Sequence, residues 1–147
     1  MASVTRFTGR VSDDVLCRIL SSATLGIDPS PNTPWSDRST MNKVIEYLFF
    51  GLPVVAFDLH ETQVSAGDAG AYVAGNCERA MADTIGALLD DPSRRATMAR
   101  AGQLRVRQSL GWEHSVAPLL AAYGRALEPR RRATRFAPDP VAPTNRP

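Results

Sequence analysis

Lys43 is the single lysine in a chain that carries 16 arginines. Arginine serves wherever else a cation stands, so a compact ammonium used at one position suggests a place where a point charge is wanted, as beside phosphate. Ser39 lies four residues before it and Glu46 three residues after it. On a helix turning about 100° per residue, these three fall within a stripe about 60° wide. Hydroxyl, ammonium and carboxylate then follow one another over about two turns. An ammonium neutralises phosphate, and a carboxylate accepts hydrogen bonds from both hydroxyls of a ribose. The same residues also fit a plainer account, in which Lys43 and Glu46 make an i, i+3 surface ion pair contributing roughly a few tenths of a kcal/mol.

The helix that must carry them is written into the neighbouring residues. Met41, Val44, Ile45, Leu48 and Phe49 recur at the spacing of an amphipathic helix, predicted from about Ser39 to Phe50. Gly51 is suited to its C-terminal cap, and Pro53 stops it. The run PVVAF at 53–57 is nearly all apolar, as a strand buried on both faces requires. Earlier elements are a short strand at Val4–Phe7, a helix from Ser12 to about Ser22, and a strand at Thr24–Asp28. That first helix is expected to bury Val15, Leu16, Ile19, Leu20 and Ala23, with Cys17 on the same side. Later come the glycine-rich loop SAGDAG at 65–70, a strand at Ala71–Ala74, and a helix capped by Asn76 that runs to about Leu89. Asp91-Pro92 opens a further helix. A last helix from near Trp112 is expected to bury Val116, Leu119, Leu120, Tyr123 and Leu127, with Pro118 as a candidate kink. Alternating strands and helices make this an α/β chain: a Rossmann-like partial parallel sheet of about four strands flanked by helices, the second half of a doubly wound domain.

Open parallel sheets bind ligands at the carboxyl ends of their strands, where loops lead into helix N-termini. Two loops qualify here, Pro29–Arg38 and Asp58–Gly70. The first leads into the helix of Lys43. Its unpaired N–H groups suit a diphosphate, and Ser39 and Thr40 add hydroxyls there. Glu61, with Asp58 and His60, follows the PVVAF strand and is a candidate ligand residue as well as a plain polar loop. For Trp35, stacking a base and closing the loop both remain open. SAGDAG lacks phosphate-loop spacing and is expected to be a tight turn.

Composition narrows the alternatives. With 147 residues, 44% hydrophobic and 22% charged, the chain has room for one core. No apolar run approaches the roughly 20 residues of a membrane-spanning helix. The N-terminal residues lack a secretory apolar core, so a cytoplasmic location is expected. Cys17 and Cys77, and His60 and His114, are too scattered for a metal site or a catalytic triad. Basic character is confined to the end: residues 128–147 hold five arginines and five prolines and carry net +3, leaving about −1 on residues 1–127. This segment is expected to be a disordered tail, with at most weak contact to a membrane surface, and no nucleic-acid partner follows from it.

Three segments, FTGRVSDDVLCRILSSATLGIDPS, SDRSTMNKVIEYLFFGLPVVAFD and LGWEHSVAPLLAAYGRAL, resemble the donor domain of family-4-type retaining glycosyltransferases with the GT-B fold. The resemblance covers about residues 4–127 and is most specific in the middle segment. It implies a C-terminal donor-domain portion that binds a UDP- or GDP-sugar without a metal or other cofactor and serves transfer to an acceptor hydroxyl. It also implies that Glu46, followed by GLPVV at 51–55, holds the ribose, and that Lys43, Ser39 and Thr40 face the diphosphate. The family motif places a second glutamate where Arg38 stands, so Arg38 or the adjacent Asp37 is the candidate substitute near the donor sugar. The family's acceptor-binding domain and the first half of its donor domain have no counterpart here. The lone chain is therefore expected to be inactive, or active only with a separate acceptor-binding N-terminal half. That absence also leaves Trp112, Leu119 and Tyr123 without a packing partner. A non-catalytic remnant or interaction module of the same fold is the alternative.

Overall fold

A computed structural model of the chain describes residues 4–127; the arginine- and proline-rich tail expected at 128–147 lies outside the described residues. Three parallel strands, β1 (Gly26–Asp28), β2 (Val54–Phe57) and β3 (Gly70–Val73), lie in the order β1-β2-β3. Val54 registers with Gly26 on one side and with Gly70 on the other. Parallel neighbours need crossover connections, and helices supply them. After α1 (Asp13–Ser22), α2 (Asn42–Phe49) links β1 to β2, and α3 (His60–Ala66) links β2 to β3. The chain continues through α4 (Glu78–Leu89), α5 (Pro92–Arg105), a π-helical stretch Val106–Leu110 and α6 (Trp112–Leu127).

The apolar run that suggested a doubly buried strand is one: every residue of β2 is buried. Its alternate residues feed two cores. Val55 and Phe57 pack with Ala71, Val73, Met81, Leu88 and Met98 on one face. Val54 and Ala56 pack with Val44, Leu48, Ala66 and Ala69 on the other. This period-two division puts α2, which carries the candidate site, on its own face of the sheet. Gly51, at φ +71°, ends α2 in the left-handed region. There Leu52 N–H donates to Tyr47 O at 2.9 Å and Gly51 N–H to Leu48 O at 3.0 Å, the paired bonds of a Schellman cap. Asp91 caps α5 by accepting from Arg94 N–H at 2.8 Å, with Pro92 in the first turn.

Several expected elements differ. Val4–Phe7 forms no strand; Val4 and Phe7 are exposed and no partner strand meets them among the described residues, so the sheet has three strands. The predicted strand at Thr24–Asp28 is ordered as such only from Gly26. The α1 stripe buries Leu20 alone, while Leu16, Ile19 and Cys17 are exposed because nothing described covers that face. The segment 58–70 is not a loop: it holds α3 and a 3-10 turn at Gly67–Ala69. The buried face of α3 is Thr62, Ser65 and Ala66, residues whose types conceal a helical stripe. Cys77, rather than Asn76, stands at the cap position of α4, and Asn76 turns instead toward Asn32. No residue of α6 is buried, so the expected core positions Val116, Leu119, Leu120, Tyr123 and Leu127 form an apolar face that nothing among the described residues covers, and Trp112 is exposed with them. The helix passes through Pro118 without a break.

Helix α2 packs tightly on the sheet at Gly26, where an added Cβ would lie 2.3 Å from the Tyr47 ring and 2.9 Å from Tyr47 Cβ. The ring base cannot swing aside as a flexible tip would. Gly26→Ala is therefore expected to push α2 off β1 and lower stability by about 1–3 kcal/mol. Urea unfolding monitored by circular dichroism checks this; an unchanged midpoint would contradict the packing described.

Candidate functional site

The carboxyl ends of the strands gather a polar cluster, and its centre is Asp28, the last residue of β1. The alternation along β1 turns Asp28 inward, where it is fully buried. A buried carboxylate needs donors. Its Oδ1 accepts from Ser30 N–H at 3.1 Å and Ser30 Oγ at 2.6 Å, closing a turn directly after the strand. The third donor is Lys43: Nζ lies 2.8 Å from Asp28 Oδ1 and 3.2 Å from Ser30 Oγ. Asp28 Oδ2 is buried and has no hydrogen-bond partner among the described residues. Burial pushes the Asp28 carboxyl up, but the hydrogen bonds from Lys43 and Ser30 and the ammonium charge outweigh it. The group is held below its ordinary value of 3.8. The lone lysine is thus drawn to a buried carboxylate and not to Glu46. Its side chain is still 40% exposed at the edge of the sheet.

The helix behind Lys43 starts later than its sequence suggests. Ser36–Arg38 form a 3-10 turn, Ser39 and Met41 are extended, and α2 begins at Asn42. Ser39 therefore leaves the stripe it would share with Lys43 and Glu46 on a longer helix. No side chain among the described residues caps α2; Val44 N–H turns back to Met41 O at 2.9 Å, which leaves the N–H groups of Asn42 and Lys43 as the first-turn donors without a side-chain cap. Positions three apart keep Lys43 and Glu46 on adjoining faces. Val44 and Leu48 face the core, and Glu46, on the opposite crest, is exposed.

The loop between β1 and α2 is tied down at several points. Asn32 Nδ2 donates to Asp58 O at 2.6 Å, and Asn32 N–H donates to Asn76 Oδ1. Ser36, buried, donates to Pro31 O at 2.6 Å and meets Thr33 Oγ1 at 2.5 Å. Ser39 Oγ donates to Trp35 O at 2.8 Å. Two bonds reach the start of α3: His60 N–H donates to Asp37 Oδ1 at 2.7 Å, and Thr40 Oγ1 donates to Glu61 Oε2 at 2.8 Å. Thr40 and Glu61, 21 residues apart, are thus brought together, and Asp37 orients the backbone of His60. Arg38 is exposed beside them.

Asp28, Ser30, Asn32 and Asn76 are the members that sequence reasoning missed. The available signal was an acidic residue ending a strand and followed by Pro-Ser, which places a carboxylate at the ligand edge of a parallel sheet. A second feature shares α2 with this cluster. A groove of about 720 Å³ lies on the other flank of α2, lined by Ile45, Phe49, Val106, Leu110 and Trp112, with Glu46 and Asn42 among its polar members. Its largely apolar lining offers little to a diphosphate, whereas the carboxyl edge presents an ammonium and uncapped backbone donors.

A sequence model for glycosyl transferases group 1 matches residues 1–91, which include α1 to α3 and the whole carboxyl-edge cluster. The chain belongs to that family. Among curated relatives, D-inositol 3-phosphate glycosyltransferase 1 of Catenulispora acidiphila is 42% identical over 80 residues, 53% of this chain and 19% of its own length. The D-inositol 3-phosphate glycosyltransferases of Salinispora tropica and Stackebrandtia nassauensis are 38% and 36% identical over 90 residues, 59% and 60% of this chain. The chain spans about a fifth of the length of these relatives. No solved structure shows a significant match. A three-stranded parallel sheet with flanking helices is the Rossmann-like arrangement of part of a GT-B glycosyltransferase. No helix among the described residues is long and apolar enough to cross a membrane.

The pairing of Asp28 has a pH signature. Because its folded pKa is lowered, the stabilisation it brings is complete above the ordinary carboxylate range and is lost as pH falls through the folded value. Lys43→Met leaves a buried carboxylate with Ser30 alone. At pH 7 a loss of about 1–3 kcal/mol is expected, below the range for fully buried pairs because Lys43 is partly solvated. Urea midpoints of wild type and Lys43→Met measured from pH 7 to pH 3 should converge toward acid. A constant gap would show that Lys43 stabilises the fold without Asp28.

Proposed function

We propose that this chain is the donor-binding portion of a sugar-transferring enzyme, and that it holds the nucleoside diphosphate of a UDP- or GDP-sugar along α2. The observation that carries this reading is the uncapped start of α2 beside an ammonium fixed at the sheet's carboxyl edge. Backbone N–H groups and the positive end of the helix favour an anion there. Lys43 supplies the neutralising charge, and the Ser39 and Thr40 hydroxyls, directly before the helix, donate to phosphate once they turn from Trp35 O and Glu61 Oε2. Glu46, on the exposed crest one turn further along, accepts hydrogen bonds from the ribose diol. Asp37, Arg38 and Glu61 line the loop side of the same edge, where the sugar of the donor belongs.

In such a transfer the bond from the sugar carbon to the diphosphate breaks as negative charge grows on the leaving phosphate. Donors already aimed at that charge lower the barrier without reorganising. Lys43 and the first turn of α2 serve that role here. The acceptor hydroxyl, and the groups that receive its proton, belong to a separate acceptor-binding half; the described chain alone is a binding unit without turnover. The relatives are named D-inositol 3-phosphate glycosyltransferases, and in this proposal an acceptor of that kind would be held by the acceptor-binding half. A cytoplasmic location, with the basic tail near a membrane surface, accompanies it. A second reading is an interaction module that keeps the fold without catalysis. It is favoured by the uncovered apolar face of α6, which offers a surface for another protein element.

Calorimetric titration of UDP and GDP into wild type and Glu46→Ala tests the binding core. Wild type is expected to bind one of the two nucleotides, and Glu46→Ala to bind it roughly 10- to 100-fold more weakly, the loss of hydrogen bonds to a charged group. No binding of either nucleotide to wild type would overturn the donor-site reading.

A further inference from the structure

Trp35 is the single aromatic residue between β1 and α2, and it is 83% exposed. Its backbone, in contrast, is fixed. The Trp35 carbonyl accepts from Ser39 Oγ at 2.8 Å and from Arg38 N–H at 3.2 Å. Ser36 next to it is buried and bonded to Pro31 O, and Asn32 and Asp37 anchor the two sides of the loop to Asp58 O and His60 N–H. Folding gains little burial from this indole, yet the loop holds its attachment point rigidly at the ligand edge of the sheet. A preset aromatic surface costs little further ordering when a ligand lands on it.

The order of the site suggests which part of a ligand that is. A nucleotide-sugar is a linear molecule: base, ribose, diphosphate, hexose. With ribose at Glu46 and diphosphate at Lys43 and the first turn of α2, the ligand runs backwards along the helix. The base then lies past Glu46, and the hexose lies beyond the start of α2, where the chain arrives from Trp35 and the Ser36–Arg38 turn. We propose that Trp35 is the stacking platform for the hexose ring of the donor, with the apolar C–H face of the pyranose against the indole and exposed Arg38 beside it to donate to ring hydroxyls. This rests on the donor-site reading above and adds to it a residue that responds to the sugar and not to the nucleotide.

Trp35→Ala removes almost no packing, so the fold should be kept; Trp35→Phe keeps an aromatic face. Calorimetric titrations of the full chain and both variants with UDP, GDP and a set of UDP- and GDP-hexoses separate the contributions. Expected is unchanged affinity of Trp35→Ala for the bare nucleotide, with a loss of roughly 3- to 10-fold for the nucleotide-hexose that wild type prefers, the size of an aromatic contact. Trp35→Phe should recover most of that loss. An equal loss for bare nucleotide and nucleotide-hexose would place the indole on the base, and an unchanged hexose affinity would remove it from the site; either overturns the proposal. Failure of wild type to bind any of these ligands would instead defeat the donor site itself, and the platform with it.

Discussion

The bond between Lys43 and buried Asp28 is the constraint on which the rest of the site depends. It joins the end of β1 to the first turn of α2 and so fixes where the helix N-terminus stands relative to the strand ends. A carboxylate with no exposure cannot be left to water, and its Oδ2 already lacks a partner, so the ammonium cannot be dispensed with cheaply. The pair also has a chemical consequence. Holding Lys43 at the edge, part exposed, fixes where its ammonium stands, and under the proposed donor-site reading that is a group preorganised for phosphate.

Around that bond the loop from Pro29 to Met41 is built as a strap. Its ties to Asp58, His60, Glu61 and Asn76 reach the connections that follow β2 and β3, so all three strand ends contribute to one surface. The ties are largely to backbone atoms or between short polar side chains, an economical way to order a segment that contains two internal prolines and little apolar surface. The opposite flank of α2 has a different character. There the apolar groove and the bare face of α6 resemble a cut through a larger core, in keeping with a chain that spans about a fifth of its relatives' length.

What was legible in the sequence followed from residue types with strong local meaning. PVVAF suggested a doubly buried strand, Gly51 and Asp91-Pro92 marked helix ends by their backbone chemistry, and the solitary lysine pointed to the carboxyl-edge cluster. What was not legible depended on tertiary context. The stripe of α3 was hidden because Thr62 and Ser65 are polar residues in a buried place. Ser39 looked helical because the apolar period runs through Met41, but Ser36–Arg38 took a tighter turn and delayed the helix. The partner of Lys43 lay 15 residues upstream across a crossover, out of reach of any spacing rule, so the nearer Glu46 was the natural pairing to consider. The faces of α1 and α6 read as buried because amphipathic spacing reports that a face needs covering, not what covers it.

The most direct test of the account is to map where a nucleotide lands. In a two-dimensional amide NMR titration of the isotope-labelled chain with UDP and with GDP, the account expects shifts concentrated at Asp28–Ser30, Ser39–Glu46 and the start of α3, abolished in Lys43→Met at the same nucleotide concentration. Shifts confined to the Val106–Trp112 groove, or a spectrum that neither nucleotide changes, would contradict it.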